Sequence, residues 1–132
     1  MSAAGTARIE GKIALITGAA SGIGLATSHM MAAQGGSVIL TDLNAEAGER
    51  AAHAISASGG IATFRQHDVT SEPDWISVAE FVETLHGRLD ILVNNAGVGT
   101  TGSIEETTLD QWRAIHAVNS EGPFLGLSLI HI

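Results

Sequence analysis

Short apolar segments recur along the chain, and each of them predicts a β-strand. They begin near Ile13, Val38, Ile61 and Ile91, and all are rich in isoleucine, valine or leucine. The first, second and fourth segments hardly alternate between apolar and polar positions. That pattern is typical of strands that are buried on both faces of a parallel sheet.

The segments between these strands carry apolar residues at helical spacing, so each predicts a helix. Glycine pairs at 35–36 and 59–60 end the first two helices, and Gly87 ends the third. Ser71 and Pro73 mark the start of the third helix as a capping-box pattern with proline in the first turn. The predicted apolar faces are Ile23, Ala26, Thr27 and Met30, then Ala47, Ala51, Ala54 and Ile55, then Trp75, Val78, Val82 and Leu85.

Strands that alternate with helices in this way form βαβ units, whose crossovers are right-handed. The sequence therefore predicts an α/β fold with a doubly wound parallel sheet, truncated after about four strands. Another helix is predicted after the last strand, because Thr108 and Gln111 form a second capping-box pattern.

Composition narrows the range of functions. The net charge is −8 and the six basic residues are scattered singly, which disfavours a nucleic-acid partner. There is no cysteine for disulfide or thiolate chemistry, and the six histidines lack metal-site spacing, so no metal is predicted. No apolar run resembles a secretion signal or a membrane span. We expect a cytoplasmic protein without a membrane partner.

The segment TGAASGIG follows the first predicted strand and opens the first predicted helix. Gly18, Gly22 and Gly24 allow a tight turn and close approach of a ligand, and a helix N-terminus offers free N–H groups to phosphate. A glycine-rich turn without a ligand is the alternative, since the pattern alone is weak evidence. Its position between a buried strand and a helix favours a dinucleotide-binding fold of the Rossmann type.

Asp42 ends the second predicted strand, where a carboxylate can accept hydrogen bonds from both ribose hydroxyls of adenosine. The same charge would repel a 2′-phosphate, and no arginine or lysine lies in the glycine loop or directly after Asp42. These features favour NAD over NADP. Asp42 could also cap the next helix, although Asn44 is the better candidate.

Further motifs, in a fixed order, make the sequence resemble the classical short-chain dehydrogenases/reductases. After TGAASGIG come HDV at 67–69, NNAG at 94–97, and Asn119 in AVNSEGPF. The resemblance extends over residues 10–126 and corresponds to the N-terminal portion of such an enzyme. Within the family, HDVTSEPDW and NSE look most like the NAD-dependent hydroxysteroid and cyclic-alcohol dehydrogenases.

The resemblance implies a role in cofactor binding for each matching residue. For Asn94 and Asn95, tying down a turn is an equally simple explanation. The implied contacts are the pyrophosphate for Gly18, Ser21, Gly22, Ile23 and Gly24, the adenosine ribose for Asp42 and Leu43, the adenine for Asp68 and Val69, and the side of the cofactor for Asn94, Ala96 and Gly97.

Asn119 matches the active-site asparagine of the family. Helical spacing places it on a predicted buried face with Trp112 and Ile115. Pro123 has no N–H to donate to the Asn119 carbonyl, which leaves that oxygen free for an ordered water. In the family such a water relays protons to the catalytic lysine. A kinked helix with a satisfied buried amide, and no chemistry, is the alternative.

The serine, tyrosine and lysine with which family members perform catalysis have no counterpart here. The chain contains no tyrosine, and its one lysine, Lys12, starts the first strand. The resemblance implies a homo-oligomeric parent enzyme, a tetramer or a dimer, that interconverts a secondary alcohol and a ketone by hydride transfer with NAD. This chain alone is predicted to be inactive. The alternative is a non-catalytic dinucleotide-binding or redox-sensing module.

The predicted organisation has three parts. Residues 1–10 form a flexible N-terminus, and residues 11–126 form the N-terminal part of a dinucleotide-binding Rossmann domain. Residues 127–132, LSLIHI, are expected to be non-native, because one reading frame of a common transposon-derived sequencing adapter encodes them. A genuine apolar helix is the other interpretation of this tail.

Overall fold

The computed structural model describes residues 7–131. Its strands are β1 (Ile13–Thr17), β2 (Ser37–Asp42), β3 (Ile61–Gln66) and β4 (Ile91–Val93). They form one parallel sheet in the order β3-β2-β1-β4. The predicted α/β fold with a parallel sheet is confirmed, and the carboxyl ends of all the strands lie along one edge.

Helices connect the strands and follow the last of them. Each of the first three links two parallel strands, as the alternating pattern predicts, and a π-helical segment, Ala117–Glu121, separates the last two. The helices are α1 (Gly22–Ala33), α2 (Ala45–Ala57), α3 (Glu72–His86), α4 (Leu109–His116) and α5 (Gly122–Leu129).

The core lies on both faces of the sheet, because β1 is buried on both sides. Ile13 and Leu15 pack in the cluster that contains Trp75 and other residues of α3. Ala14 and Ile16, which point to the opposite face, pack in the cluster formed with α1 and α2. This two-sided burial explains why β1 shows no alternation of apolar and polar positions.

The predicted apolar face of α1 is wrong. Ile23 and Met30 are 79% and 70% exposed, whereas Gly24 and Ser28 are buried. The buried Ser28 hydroxyl is satisfied because it donates to the Gly24 carbonyl oxygen, 2.8 Å away. The apolar side chains of α1 that pack on the core are instead the partly buried Leu25, Met31 and Ala32.

The other predicted helix faces are confirmed in part. In α3, Trp75, Val78 and Val82 are buried, but Leu85 is 48% exposed near the end of the helix. In α2 the buried set is Gly48, Ala51, Ala52 and Ile55, and the predicted Ala54 is exposed.

Both ends of the described region contact the rest of the domain. The Ile9 N–H donates to the Gln34 carbonyl oxygen at 3.1 Å, and Ile130, which follows α5, packs in the cluster with Trp75. Residues 1–6 and Ile132 lie outside the described residues. The flexibility of residues 1–10 and the non-native origin of residues 127–132 therefore stay predictions, and reading the codons of the tail tests the second.

The predicted capping box at the start of α4 is confirmed. The Thr108 hydroxyl accepts from the Gln111 N–H at 3.1 Å, and the Gln111 side chain accepts from the Thr108 N–H at 2.8 Å. Within residues 7–131, neither α4 nor any other helix is both long and apolar enough to cross a membrane.

We expect Thr108→Ala to weaken α4 locally. Loss of the cap costs a helix about 1 kcal/mol, so amide hydrogen exchange within α4 should accelerate by about fivefold. Thr108→Ser keeps the hydroxyl and should exchange like the unchanged protein. NMR exchange rates for the amides of α4 check this, and equal rates in Thr108→Ala and Thr108→Ser would contradict it.

Candidate functional site

A cleft of about 380 Å³ opens at the carboxyl edge of the sheet. All the predicted cofactor-binding residues except Gly24 and Asn94 line it. The cleft is also lined by His67, Asn95, Val98 and Val118, to which the sequence analysis assigned no contact with a ligand. Its position, outside the ends of parallel strands, is where open α/β sheets bind ligands.

The glycine loop between β1 and α1 has the backbone that its glycines predict. Gly18 and Gly22 have φ angles of 63° and 55°, in the left-handed region that residues with a Cβ rarely adopt. A Cβ on Gly18 would lie 2.8 Å from the Ala96 Cα, so the loop packs directly on the loop that follows β4. Gly24 does not line the cleft and instead permits this close packing from behind.

Thr17 and Asn95 tie these two loops together. The Asn95 Nδ2 donates to the carbonyl oxygens of Thr17 and Gly18, each at 3.1 Å. The Thr17 hydroxyl oxygen accepts from the Ala96 N–H at 3.0 Å. Asn94, the predicted neighbour of the cofactor, is exposed at the end of β4. The signal that could have pointed to Thr17 is its place as a polar residue that ends a buried strand.

Asp42 has a backbone partner on each carboxylate oxygen. Its Oδ2 accepts from the Ala20 N–H of the glycine loop, and its Oδ1 accepts from the Asn44 N–H, both at 3.0 Å. Asn44 itself caps α2, because its side chain accepts from the Ala47 N–H at 3.1 Å. The cap therefore belongs to Asn44, and the Asp42 carboxylate stands beside the cleft with both oxygens oriented.

The carboxylates of Asp68 and Asp74 accept hydrogen bonds that hold the segment after β3 in place. The Asp68 Oδ1 accepts from the Thr70 hydroxyl at 2.6 Å and from the Thr70 N–H at 2.9 Å. These bonds favour the ionised form and hold the pKa of the Asp68 carboxyl below its usual value. The Asp74 Oδ2 accepts from the Asp68 N–H at 2.8 Å, which anchors the segment to α3.

His67 also lines the cleft, although the sequence did not indicate a role for it. It is 1% exposed, its Nδ1 lies 2.9 Å from the Thr41 hydroxyl oxygen, and its ring meets Trp75 edge-on at 4.3 Å between centroids. Its Nε2 has no hydrogen-bond partner within residues 7–131. Burial lowers the pKa of His67 to about 4, and the nearby Asp74 and Asp68 raise it only in part. The imidazole is therefore neutral at pH 7.

Asn119 is exposed, so its predicted burial is wrong. It lies in the π-helical segment, whose wider turns shift the following residues around the helix axis relative to a regular α-helix. Trp112 is 53% exposed, and no residue of α4 is buried in the described part of the chain. The Asn119 side chain pairs with one backbone unit: its Oδ1 accepts from the Val98 N–H at 2.9 Å, and its Nδ2 donates to the Val98 carbonyl at 2.7 Å.

Comparison with known proteins decides the family. The sequence model of the family described as short chain dehydrogenase matches residues 12–131. The chain belongs to the short-chain dehydrogenase family. The predicted resemblance is confirmed, and the cleft of this short-chain dehydrogenase chain is lined by residues of its TGAASGIG, HDV and NNAG segments.

Individual relatives agree with this assignment. An NADP-dependent (R)-specific alcohol dehydrogenase of Lentilactobacillus kefiri is 38% identical over 124 residues, which cover 94% of this chain and 49% of the relative. A 3-beta-hydroxysteroid dehydrogenase of Comamonas testosteroni is 38% identical over 121 residues, or 92% of this chain and 46% of the relative.

A solved structure shows the same fold. A metagenomic short-chain oxidoreductase crystallised in complex with NADP superposes with a TM-score of 0.86 at 35% identity, covering 92% of this chain and 55% of the other. This short-chain dehydrogenase chain spans about half the length of the curated relatives it matches.

Proposed function

We propose that this chain is the cofactor-binding part of an NAD-dependent oxidoreductase that interconverts a secondary alcohol and a ketone. The observation that carries the proposal is the meeting of the glycine loop and the Asp42 carboxylate in one cleft at the carboxyl edge of the sheet. The glycine loop is suited to bind the phosphates, and the Asp42 carboxylate is suited to bind the ribose.

The pyrophosphate of the dinucleotide fits the start of α1. Ser21 precedes this helix but makes no capping hydrogen bond within residues 7–131, whereas Asn44, Ser71 and Thr108 cap their own helices with side chains. The N–H groups of the first turn of α1 are thus left for an anion, which the helix dipole also favours. Gly22, which lines the cleft, lets the phosphates approach the backbone.

The preference for NAD follows from charge. Asp42 faces the position of the adenosine ribose, and within residues 7–131 no lysine or arginine lines the cleft to neutralise a 2′-phosphate. The relative from Lentilactobacillus kefiri is named as NADP-dependent, so the choice between the two cofactors depends on such local charges and not on family membership. Leu43 beside Asp42 offers an apolar surface that is 65% exposed.

The adenine would lie against Val69 and Asp68. Val69 is nearly buried and gives the ring an apolar contact, while the ionised Asp68 can accept a hydrogen bond from the exocyclic amino group. His67, neutral and buried behind this segment, supports it without carrying charge into the cleft.

Asn119 would serve the active site of the parent enzyme through its neighbours. Its side chain fixes the backbone of Val98, which lines the cleft. Pro123 has no N–H to donate to the carbonyl oxygen of Asn119. We propose that this oxygen holds the water that relays protons. The nicotinamide, when bound, supplies the hydride acceptor or donor. Since the chain contains no tyrosine, we propose that residues 1–132 alone do not turn over alcohols.

Calorimetric titration of this chain with NAD and NADP tests the proposed cofactor. We expect NAD to bind at least about tenfold more tightly, because the NADP 2′-phosphate meets the Asp42 charge without a basic partner. Asp42→Ala should weaken NAD binding by about tenfold or more and reduce the discrimination. Glu46→Gln, which removes an exposed charge on α2, is the matched control. Equal affinity for both dinucleotides would contradict the NAD preference.

A further inference from the structure

The Asp42 carboxylate joins two segments that are far apart in the chain. Ala20, whose N–H donates to Oδ2, lies 22 residues before Asp42, inside the glycine loop. Asn44, whose N–H donates to Oδ1, begins the turn into α2. Both contacts are made within the protein itself, so the carboxylate contributes to the protein's own structure as well as to any contact with a ribose.

The contact with Ala20 lies in the middle of the glycine loop. Ala20 stands between Gly18 and Gly22, the two residues of the loop with left-handed φ angles. The Gly18 carbonyl is held by Asn95, and the Ala19 N–H donates to the Thr41 carbonyl at 3.0 Å. The next anchor along the loop is the bond from Ala20 to Asp42, and it depends on a side chain.

The hydrogen-bonding capacity of a carboxylate allows bracing and ribose recognition at once. An ionised carboxylate has about four acceptor positions on its two oxygens. The N–H groups of Ala20 and Asn44 occupy one position on each oxygen. One position on each oxygen remains, which matches the two adjacent hydroxyls of a ribose. An amide at this position has only one oxygen, and its NH₂ would face one of the two backbone N–H groups.

We propose that Asp42 is a positioning residue for the glycine loop, which it holds in the conformation that binds a diphosphate, in addition to any contact with the ribose. The inference rests on the proposed dinucleotide function and deepens it. It couples the two halves of the adenosine diphosphate site, because one side chain shapes the phosphate loop and recognises the sugar.

Amide hydrogen exchange in the ligand-free protein tests the brace directly. In Asp42→Ala, exchange of the Ala20 amide should accelerate by about tenfold or more, since a charge-assisted hydrogen bond is lost. The Ala19 amide, which donates to a backbone carbonyl, should keep its rate and serves as the internal control. Glu46→Gln removes a nearby negative charge without touching the loop and should change neither amide.

A ligand without ribose hydroxyls separates bracing from sugar recognition. The probe is 2′,3′-dideoxyadenosine diphosphate, compared with adenosine diphosphate by calorimetry. If Asp42 braces the loop, Asp42→Ala weakens binding of the dideoxy probe by about threefold or more, even though removing a negative charge should by itself favour an anion. An unchanged or higher affinity for the dideoxy probe, or an unchanged exchange rate at Ala20, overturns the proposal.

The exchange measurement and the calorimetric measurement together distinguish failure of this proposal from failure of the function on which it rests. If the unchanged protein binds neither NAD nor adenosine diphosphate, the proposed function fails, and the exchange rate at Ala20 still reports whether Asp42 holds the loop. If the dinucleotide binds but Asp42→Ala affects only ligands with ribose hydroxyls, the proposed function stands and the positioning role fails.

Discussion

Replacing Gly24 with alanine should abolish dinucleotide binding and lower the free energy of unfolding by roughly 1–3 kcal/mol. An alanine Cβ at this position would lie 2.5 Å from the Asn95 Nδ2 and still closer to the Gly18 carbonyl oxygen. The carbonyl belongs to the backbone of the glycine loop and is held by Asn95, so it cannot move aside without opening that loop. The phosphate-binding conformation is therefore lost together with stability.

The predicted loss of stability is informative because helix propensity alone would make Gly24→Ala stabilising. Gly24 lies within α1, where alanine is favoured over glycine by about 0.5–1 kcal/mol. The steric conflict has to exceed that gain. Gly99→Ala is the control, since within residues 7–131 no heavy atom outside Gly99 and its two chain neighbours lies within 4 Å of its added Cβ. Urea unfolding measures the change in stability, and titration with NAD measures the change in binding. If the Gly24→Ala protein has the same stability and NAD affinity as the Gly99→Ala protein, the packing of Gly24 on Gly18 and Asn95 is not close enough to exclude a Cβ.

Acidification from pH 7 to pH 4 should cost this protein about 3 kcal/mol through His67 alone. Burial lowers the pKa of His67 from 6.5 to about 4. The unfolded chain therefore binds a proton at His67 at a higher pH than the folded chain does. The contribution of His67 is fully present above pH 6.5, falls as the pH decreases through the window between these values, and levels off below pH 4.

A non-titrating residue isolates this effect. His67→Gln should unfold more easily at pH 7, because the contacts with Thr41 and Trp75 change, but its stability should decline less steeply between pH 6.5 and pH 4. Asp68, whose pKa is lowered mainly by its hydrogen bonds to Thr70, weakens both proteins in acid. His53→Gln, on the exposed side of α2, is the control. Urea unfolding at pH 7, 5.5 and 4 gives the slopes, and parallel slopes for His67→Gln and the unchanged protein would refute the prediction.

The helices show how well the spacing of apolar residues predicts which residues are buried. In α3 the spacing correctly indicated Trp75 as a buried residue, since a large apolar side chain gains most from burial. In α1 the same rule selected Ile23 and Met30, which are exposed. The helix packs through the buried Gly24 and Ser28 and through the partly buried Leu25, Met31 and Ala32. Periodicity identifies apolar side chains but does not indicate how closely a helix approaches the sheet.

Asn119 illustrates a second limit. The sequence indicated its place in a helix and the missing N–H of Pro123, but its predicted burial assumed that the face it shares with Trp112 packs on the core, and Trp112 is 53% exposed. Asn119 lies in the π-helical segment Ala117–Glu121, and its amide pairs with Val98 in the loop after β4. Local hydrogen bonding that depends on a partner 21 residues away could not be inferred from spacing along the helix.

The sequence by itself determined the alternation of strands and helices, the glycine loop, the acidic end of β2 and, through its motifs, the family. These features follow from local residue preferences and from the order of short patterns. Only the tertiary structure decided that Asn95 clamps the loops, that His67 is buried without charge, and that Asp42 holds Ala20. Those contacts join residues such as Thr17 and Asn95, which are 78 positions apart. Distance in space between separate segments is set by the packing of the whole sheet, and no single stretch of sequence encodes it.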